Sequence, residues 1–122
     1  MARLLIIEDD SSYLKLLKIV TERAGHESFL ALDGKEGMRL FNQHDIDLII
    51  TDIYMPEQDG LETIIEIKST HPETKIIALS GGGSRGWKDS TLLMAEDLGA
   101  DAVLAKPFDN AKLIDTIDRL IQ

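Results

Sequence analysis

Short aliphatic runs alternate with amphipathic stretches along the whole chain, and that alternation limits the folds open to it. The runs are Leu4–Ile7, Ser28–Ala31, Leu48–Thr51, Lys75–Leu79 and Ala102–Ala105. The stretches between them have helical spacing. In the first, Tyr13, Leu16, Leu17, Val20 and Ala24 recur so as to predict one apolar helix face. Asp10 or Ser11 can cap its start, and Gly25 stands where a left-handed C-terminal residue is wanted. A second helix is predicted from Asp33, with Glu36 three residues on as in a capping box and Met38 and Phe41 on its apolar side. A third runs from about Leu61, with Ile64, Ile65 and Lys68 continuing one stripe. A fourth spans Trp87 to Leu98 and stops at Gly99, and a fifth begins near Asp109 and buries Leu113, Ile114, Ile117 and Leu120.

The pattern is (βα)5, an α/β fold on a doubly wound five-stranded parallel sheet. Runs that are apolar at every position, such as Leu48-Ile49-Ile50, indicate a sheet covered on both faces. The length of 122 residues leaves room for one core, so residues 1–122 read as a single domain. No internal repeat or low-complexity linker interrupts it. The one segment that is loop by composition is Gly81-Gly82-Gly83-Ser84-Arg85-Gly86.

Composition closes several functional classes. No apolar run exceeds about four residues, against the ~20 that a membrane helix needs. Met1-Ala2-Arg3 leads into a short apolar run with no small-residue cleavage site, so no signal peptide is expected. With no cysteine, disulfide scaffolds, thiolate zinc sites and thiol catalysis are excluded. The 13 Lys+Arg against 22 Asp+Glu give a net charge of -9, which opposes nucleic-acid binding. The expectation is a soluble, acidic, cytoplasmic domain with no membrane or nucleic-acid partner.

In doubly wound sheets, ligands bind outside the carboxyl ends of the strands. Those ends carry Glu8-Asp9-Asp10 after the first strand, Asp52 at the end of the third, Ser80 after the fourth and Lys106 after the fifth. The end of the second strand, at Ala31, looks peripheral. Glu8, Asp9 and Asp52 would then crowd together. Two unit charges ~4 Å apart repel by roughly 4 kcal/mol at an effective dielectric of about 20. A fold tolerates this with a compensating cation or raised pKa values, and locally only Lys106 offsets it. Oxygen-only ligands with positions left to water suit Mg2+, or Mn2+. Taken singly the residues have plainer readings: Asp10 as a helix cap, Lys106 as a solvated surface lysine, Ser80 as a turn former. It is their joint placement that argues for a site. His26, His44 and His71 stand beside turn or charged residues and read as surface, and Trp87 reads as helix packing.

The stretches Leu4-Leu5-Ile6-Ile7-Glu8-Asp9-Asp10, Asp47 through Pro56 with Asp59-Gly60, Ile77-Ala78-Leu79-Ser80 and Lys106-Pro107-Phe108 resemble the receiver domain of two-component response regulators, the CheY-like family. The resemblance covers essentially the whole chain. It implies the flavodoxin-like topology with strand order 2-1-3-4-5. It also implies that Asp52 accepts a phosphoryl group from a phosphohistidine of a sensor histidine kinase or phosphotransfer protein. By the same resemblance Glu8 and Asp9 organise Mg2+, with Asp9 the direct ligand and Glu8 acting through water. The backbone carbonyl of Tyr54 completes the metal set, and Ser80 and Lys106 contact the phosphoryl oxygens. The Lys106-Pro107 bond would be cis. Such a domain is not an enzyme in the ordinary sense, although it assists its own phosphorylation and dephosphorylation.

Rival readings are weaker. A flavodoxin-like flavin mononucleotide binder needs a Gly/Ser/Thr-rich loop after the first strand, where this chain has repelling acids. An aspartyl-phosphate phosphatase usually has a second acid two residues after the nucleophile, and position 54 is Tyr. A degenerate receiver acting as a constitutive binding module would not fill all five site positions. Three departures from the family pattern stand out. Val103 replaces the usual aromatic three residues before the lysine, the stretch from Ser80 to Lys106 is a few residues longer than the common pattern, and no effector domain is expected beyond Gln122. The last suggests a stand-alone domain whose output is contact with a downstream protein or relay of the phosphoryl group. With Val103 unable to swing as a ring would, the switch is expected in the loop Gly81 to Gly86, drawn by Ser80, with the start of the fourth helix at Trp87 moving with it.

Overall fold

The computed structural model describes residues 2–53, 60–80, 95–106 and 108–122. Tyr54, Pro107, the glycine-rich run and the expected start of the fourth helix at Trp87 lie outside the described residues. In chain order the elements are β1 (Arg3–Ile7), α1 (Ser11–Arg23), β2 (Glu27–Ala31), α2 (Gly34–Gln43), β3 (Leu48–Asp52), α3 (Gly60–Thr70) and β4 (Lys75–Ser80). Helical residues 95–98 (α4), β5 (Ala102–Ala105) and α5 (Asn110–Leu120) follow. The five strands form one parallel sheet in the order β2-β1-β3-β4-β5, as expected. Among the described residues no helix is long and apolar enough to cross a membrane.

The period of two along each strand sends alternate residues to opposite faces, and helices cover both. On one face Leu4, Ile6, Leu48, Ile50, Ile77 and Leu79 meet Leu14 and Leu17 of α1 and Leu113 and Ile117 of α5. On the other, Leu5, Ile7, Ile49, Ile76 and Ala78 meet Phe41 of α2, Ile64 and Ile67 of α3 and Ala95 of α4.

The helix starts follow the sequence. Asp10 accepts the N–H groups of Ser12 and Tyr13, Asp33 that of Glu36, and Asp109 that of Lys112. Glu36 does not complete the capping box, because its carboxylate pairs with Arg39. Gly25 has φ +96°, the left-handed conformation that lets α1 stop and the chain turn into β2.

Three expectations fail in phase or depth. The buried stripe of α1 is Leu14, Leu17 and Thr21, whereas Leu16 is 46% exposed and Ala24 is also exposed. Helical spacing fixes a period but not which of several apolar rows turns inward. Thr21 can take the inward place because its hydroxyl donates to Leu17 O at 2.8 Å. In α3 the inward residues are Thr63, Ile64 and Ile67, and Ile65 faces out. His26 is buried rather than on the surface, with Nδ1 accepting the Ala2 N–H at 3.1 Å. The start of β1 has a backbone donor to satisfy there, and a turn residue read from sequence alone gives no sign of it.

Candidate functional site

The strand register brings the site residues to one edge of the sheet. Ile7 of β1 lies beside Thr51 of β3, so the next residues, Glu8 and Asp52, stand level on neighbouring strands. Asp52 pairs with Leu79 of β4, and Ser80 pairs with Ala105 of β5, which puts Ser80 and Lys106 one step further along the same edge. The Ser80 carbonyl accepts the Lys106 N–H at 3.1 Å. Glu8, Asp52 and Ser80 are all buried, while Asp9 is exposed at the mouth.

Lys106 closes the cluster. Its Nζ donates to Glu8 Oε1 at 2.7 Å and to Asp52 Oδ2 at 3.1 Å. The other oxygen of Glu8, Oε2, accepts the Asp10 N–H at 3.1 Å. The Tyr13 ring lies beside the same ammonium, its centroid 4.4 Å from Nζ, and Phe108 meets that ring edge-on at 6.4 Å. Sequence reading assigned Tyr13 only to an apolar helix face. Its contact with Lys106 spans a sequence separation that periodicity cannot report.

The charges are shifted accordingly. Burial pushes the Glu8 carboxyl up to about 7, and the Asp52 charge adds to the push. The Lys106 hydrogen bond, the Asp10 N–H and the Lys106 charge work against it. Burial opposes the Lys106 charge too, but the Glu8 hydrogen bond, the Asp52 and Glu8 charges and the Asp52 hydrogen bond outweigh it and hold the lysine pKa above its ordinary value. Burial also raises the Tyr13 phenol, with Lys106 pulling down and the two acids pushing up.

Among the described residues, one ammonium, that of Lys106, is shared by two of the three clustered carboxylates. Carboxylate oxygens of Glu8, Asp9 and Asp52 all lie within 4.8 Å of one another. Opposite ligands of an octahedral ion at ~2.1 Å are about 4.2 Å apart, so small side-chain shifts would let these donors hold a small hard cation, directly or through water. The chemistry is all oxygen, which is what Mg2+ takes and what soft metals do not.

Residues 4–118 match the family described as the response regulator receiver domain. The chain belongs to that family. Such receivers are the phosphorelay signalling modules of two-component systems. The transcriptional regulatory protein CpxR of Klebsiella pneumoniae is 30% identical over 122 residues, covering 100% of this chain and 50% of the relative. The transcriptional regulatory protein GlrR of Escherichia coli is 33% identical over 121 residues, covering 99% of this chain and 26% of the relative. The chain therefore spans about half or less of these relatives. Among solved structures, a response regulator receiver domain protein from Clostridium thermocellum superposes with a TM-score of 0.90 at 33% identity, covering 99% of this receiver and 94% of the other chain. The response regulator protein TrrA of Thermotoga maritima, in complex with Mg2+ and BeF, gives a TM-score of 0.85 at 31% identity, covering 98% and 99%.

Proposed function

We propose that residues 1–122 form one phosphoacceptor domain, with Asp52 taking a phosphoryl group from a phosphohistidine of a sensor kinase or phosphotransfer protein. The observation that carries this reading is the single edge where buried Glu8 and Asp52 share Lys106, with Asp9 open to solvent beside them. In the step, an Asp52 oxygen attacks phosphorus and the P–N bond to the imidazole breaks. The electron pair leaves on that nitrogen, and the resulting aspartyl phosphate keeps the phosphoryl oxygens. A carboxylate is a weak nucleophile, so the domain's task is to align it and to neutralise the phosphoryl charge.

Each residue has a part in that task. Asp9, exposed at the mouth, and Asp52 would hold Mg2+, with Tyr54 contributing its carbonyl as the family resemblance implies. Glu8, already committed to Lys106 and the Asp10 N–H, would act on the ion through water. When bound, Mg2+ supplies Lewis-acid stabilisation of the phosphoryl oxygens, and Mn2+ suits the same donors. Lys106 is a compact charge on a flexible stem and can turn from the carboxylates to a phosphoryl oxygen. Ser80 offers one hydroxyl donor at the neighbouring strand end. The domain thus assists its own phosphorylation and dephosphorylation. The output is a change in a protein-binding face, and the net charge of -9 favours a protein partner over nucleic acid.

Beryllofluoride, a phosphoryl mimic, tests the site. A bound 19F signal is expected with Mg2+ and lost in EDTA and in Asp52→Asn. A signal unchanged in Asp52→Asn would overturn the assignment.

A further inference from the structure

Two of the donors of the Lys106 ammonium reach Glu8 and Asp52, and the face of Tyr13 lies against it at 4.4 Å. The contacts form a closed circuit. Glu8 accepts Lys106 through one oxygen and the Asp10 N–H through the other. Asp10 Oδ1 in turn accepts the Tyr13 N–H at 3.2 Å, which fixes Tyr13 in the first turn of α1. The Tyr13 ring returns to Lys106, and Phe108, two residues beyond Lys106, braces that ring at an interplanar angle of 74°. The cap that starts α1 therefore also sets the seat of the lysine.

We propose that Tyr13 is a positioning residue for phosphoryl transfer, its ring holding the Lys106 ammonium at the strand ends while leaving it free to move onto a phosphoryl oxygen. This rests on the reading of Asp52 as phosphoacceptor. A ring attracts a cation through its quadrupole, over a broad range of positions within about 6 Å. A hydrogen-bond acceptor in the same place would hold one N–H in one direction and compete with the phosphoryl group for it. The ring also keeps water from that flank, which strengthens the charge interactions of the ammonium. An aliphatic side chain of similar bulk would exclude water but would not attract the cation. Leu and Phe at position 13 therefore separate the two contributions.

Acetyl phosphate with saturating Mg2+ is the probe. An Asp52 oxygen attacks phosphorus, and the P–O bond to acetate breaks with its electron pair leaving on acetate. Lys106 keeps its protons throughout. Rates are compared for wild type, Tyr13→Phe, Tyr13→Leu and Tyr13→Met, and for Tyr13→Leu combined with Lys106→Met. Tyr13→Leu and Tyr13→Met should each slow phosphorylation by about tenfold, and Tyr13→Phe by less than about twofold. Tyr13→Leu should add nothing once Lys106→Met is in place, because the ring acts only through the ammonium. In metal-free protein the Lys106 ε-methylene protons should show an upfield ring-current shift in wild type and Tyr13→Phe that is lost in Tyr13→Leu. A wild-type rate in Tyr13→Leu, a Tyr13→Phe as slow as Tyr13→Leu, or a tenfold loss that persists with Lys106→Met would overturn the proposal alone. A wild-type protein that takes no phosphoryl group would refute the functional reading and the proposal together.

Discussion

Among the described residues one ammonium faces two buried carboxylates at the strand ends, and Glu8 ionises against its burial and the Asp52 charge. Its carboxyl is raised from 4.5 to about 7, first by burial. A folded-state pKa above the unfolded value means that stability is full below about 4.5 and is lost as pH rises through about 7. The loss is on the order of 3 kcal/mol. Lys106 stays charged over this window, since its own shift is upward. Melting in EDTA should therefore show a midpoint that falls from pH 5 to pH 8 in wild type and is nearly flat in Glu8→Gln. Equal slopes in the two proteins would refute the account of Glu8. His26 is a second test at this scale. It fills a buried place and satisfies the Ala2 N–H, so His26→Ala should cost about 2–3 kcal/mol in a urea unfolding titration. The acids, Ser80 and Lys106 were legible because strand ends are marked by the residues that follow each aliphatic run. The burial of His26 and the Tyr13 contact with Lys106 were not, because each depends on a partner distant in sequence.

At the scale of elements, the strands were legible almost to the residue, since a run such as Leu48-Ile49-Ile50 has no polar side to place. The capping residues Asp10, Asp33 and Asp109 were legible, but the rotation of α1 and α3 was not. Leu16 and Ile65 look like core residues in a spacing count and face outward in the structure, because Leu17 and Ile64 beside them give the sheet an equal or better row. The packing of α2 on β1 shows how tight the chosen rotation is. A Cβ on Gly37 would stand 2.5 Å from Ile7 Cδ1 and 2.9 Å from Cγ1, and Ile7 is fully buried. Alanine normally gains about 1 kcal/mol over glycine inside a helix. Here overpacking should outweigh that gain, so Gly37→Ala should lower stability by roughly 1 kcal/mol net. A Gly37→Ala protein that unfolds at higher denaturant than wild type would show that α2 can shift away from β1.

At the scale of the whole molecule, the sheet core holds a cluster of three acids at one edge. A cation bound only to the folded state stabilises it by RT ln(1 + [L]/Kd), about 1.4 kcal/mol at ~10 Kd, which moves a midpoint by several degrees. Mg2+ should raise the wild-type midpoint at pH 8, and Asp9→Asn should blunt the rise. An equal rise in both proteins would place the ion elsewhere. The fold class and strand order were legible from the alternation of runs together with the family resemblance. Glu8, Asp52, Ser80 and Lys106 fall on one edge because the strand register brings them there. The most direct test of Asp52 as phosphoacceptor is intact-mass and peptide-mapping mass spectrometry after incubation with acetyl phosphate and Mg2+. The predicted result is one adduct of about 80 Da on Asp52, absent in EDTA and in Asp52→Asn. An adduct that survives Asp52→Asn, one that maps to Ser80, or none on the wild-type protein would contradict it.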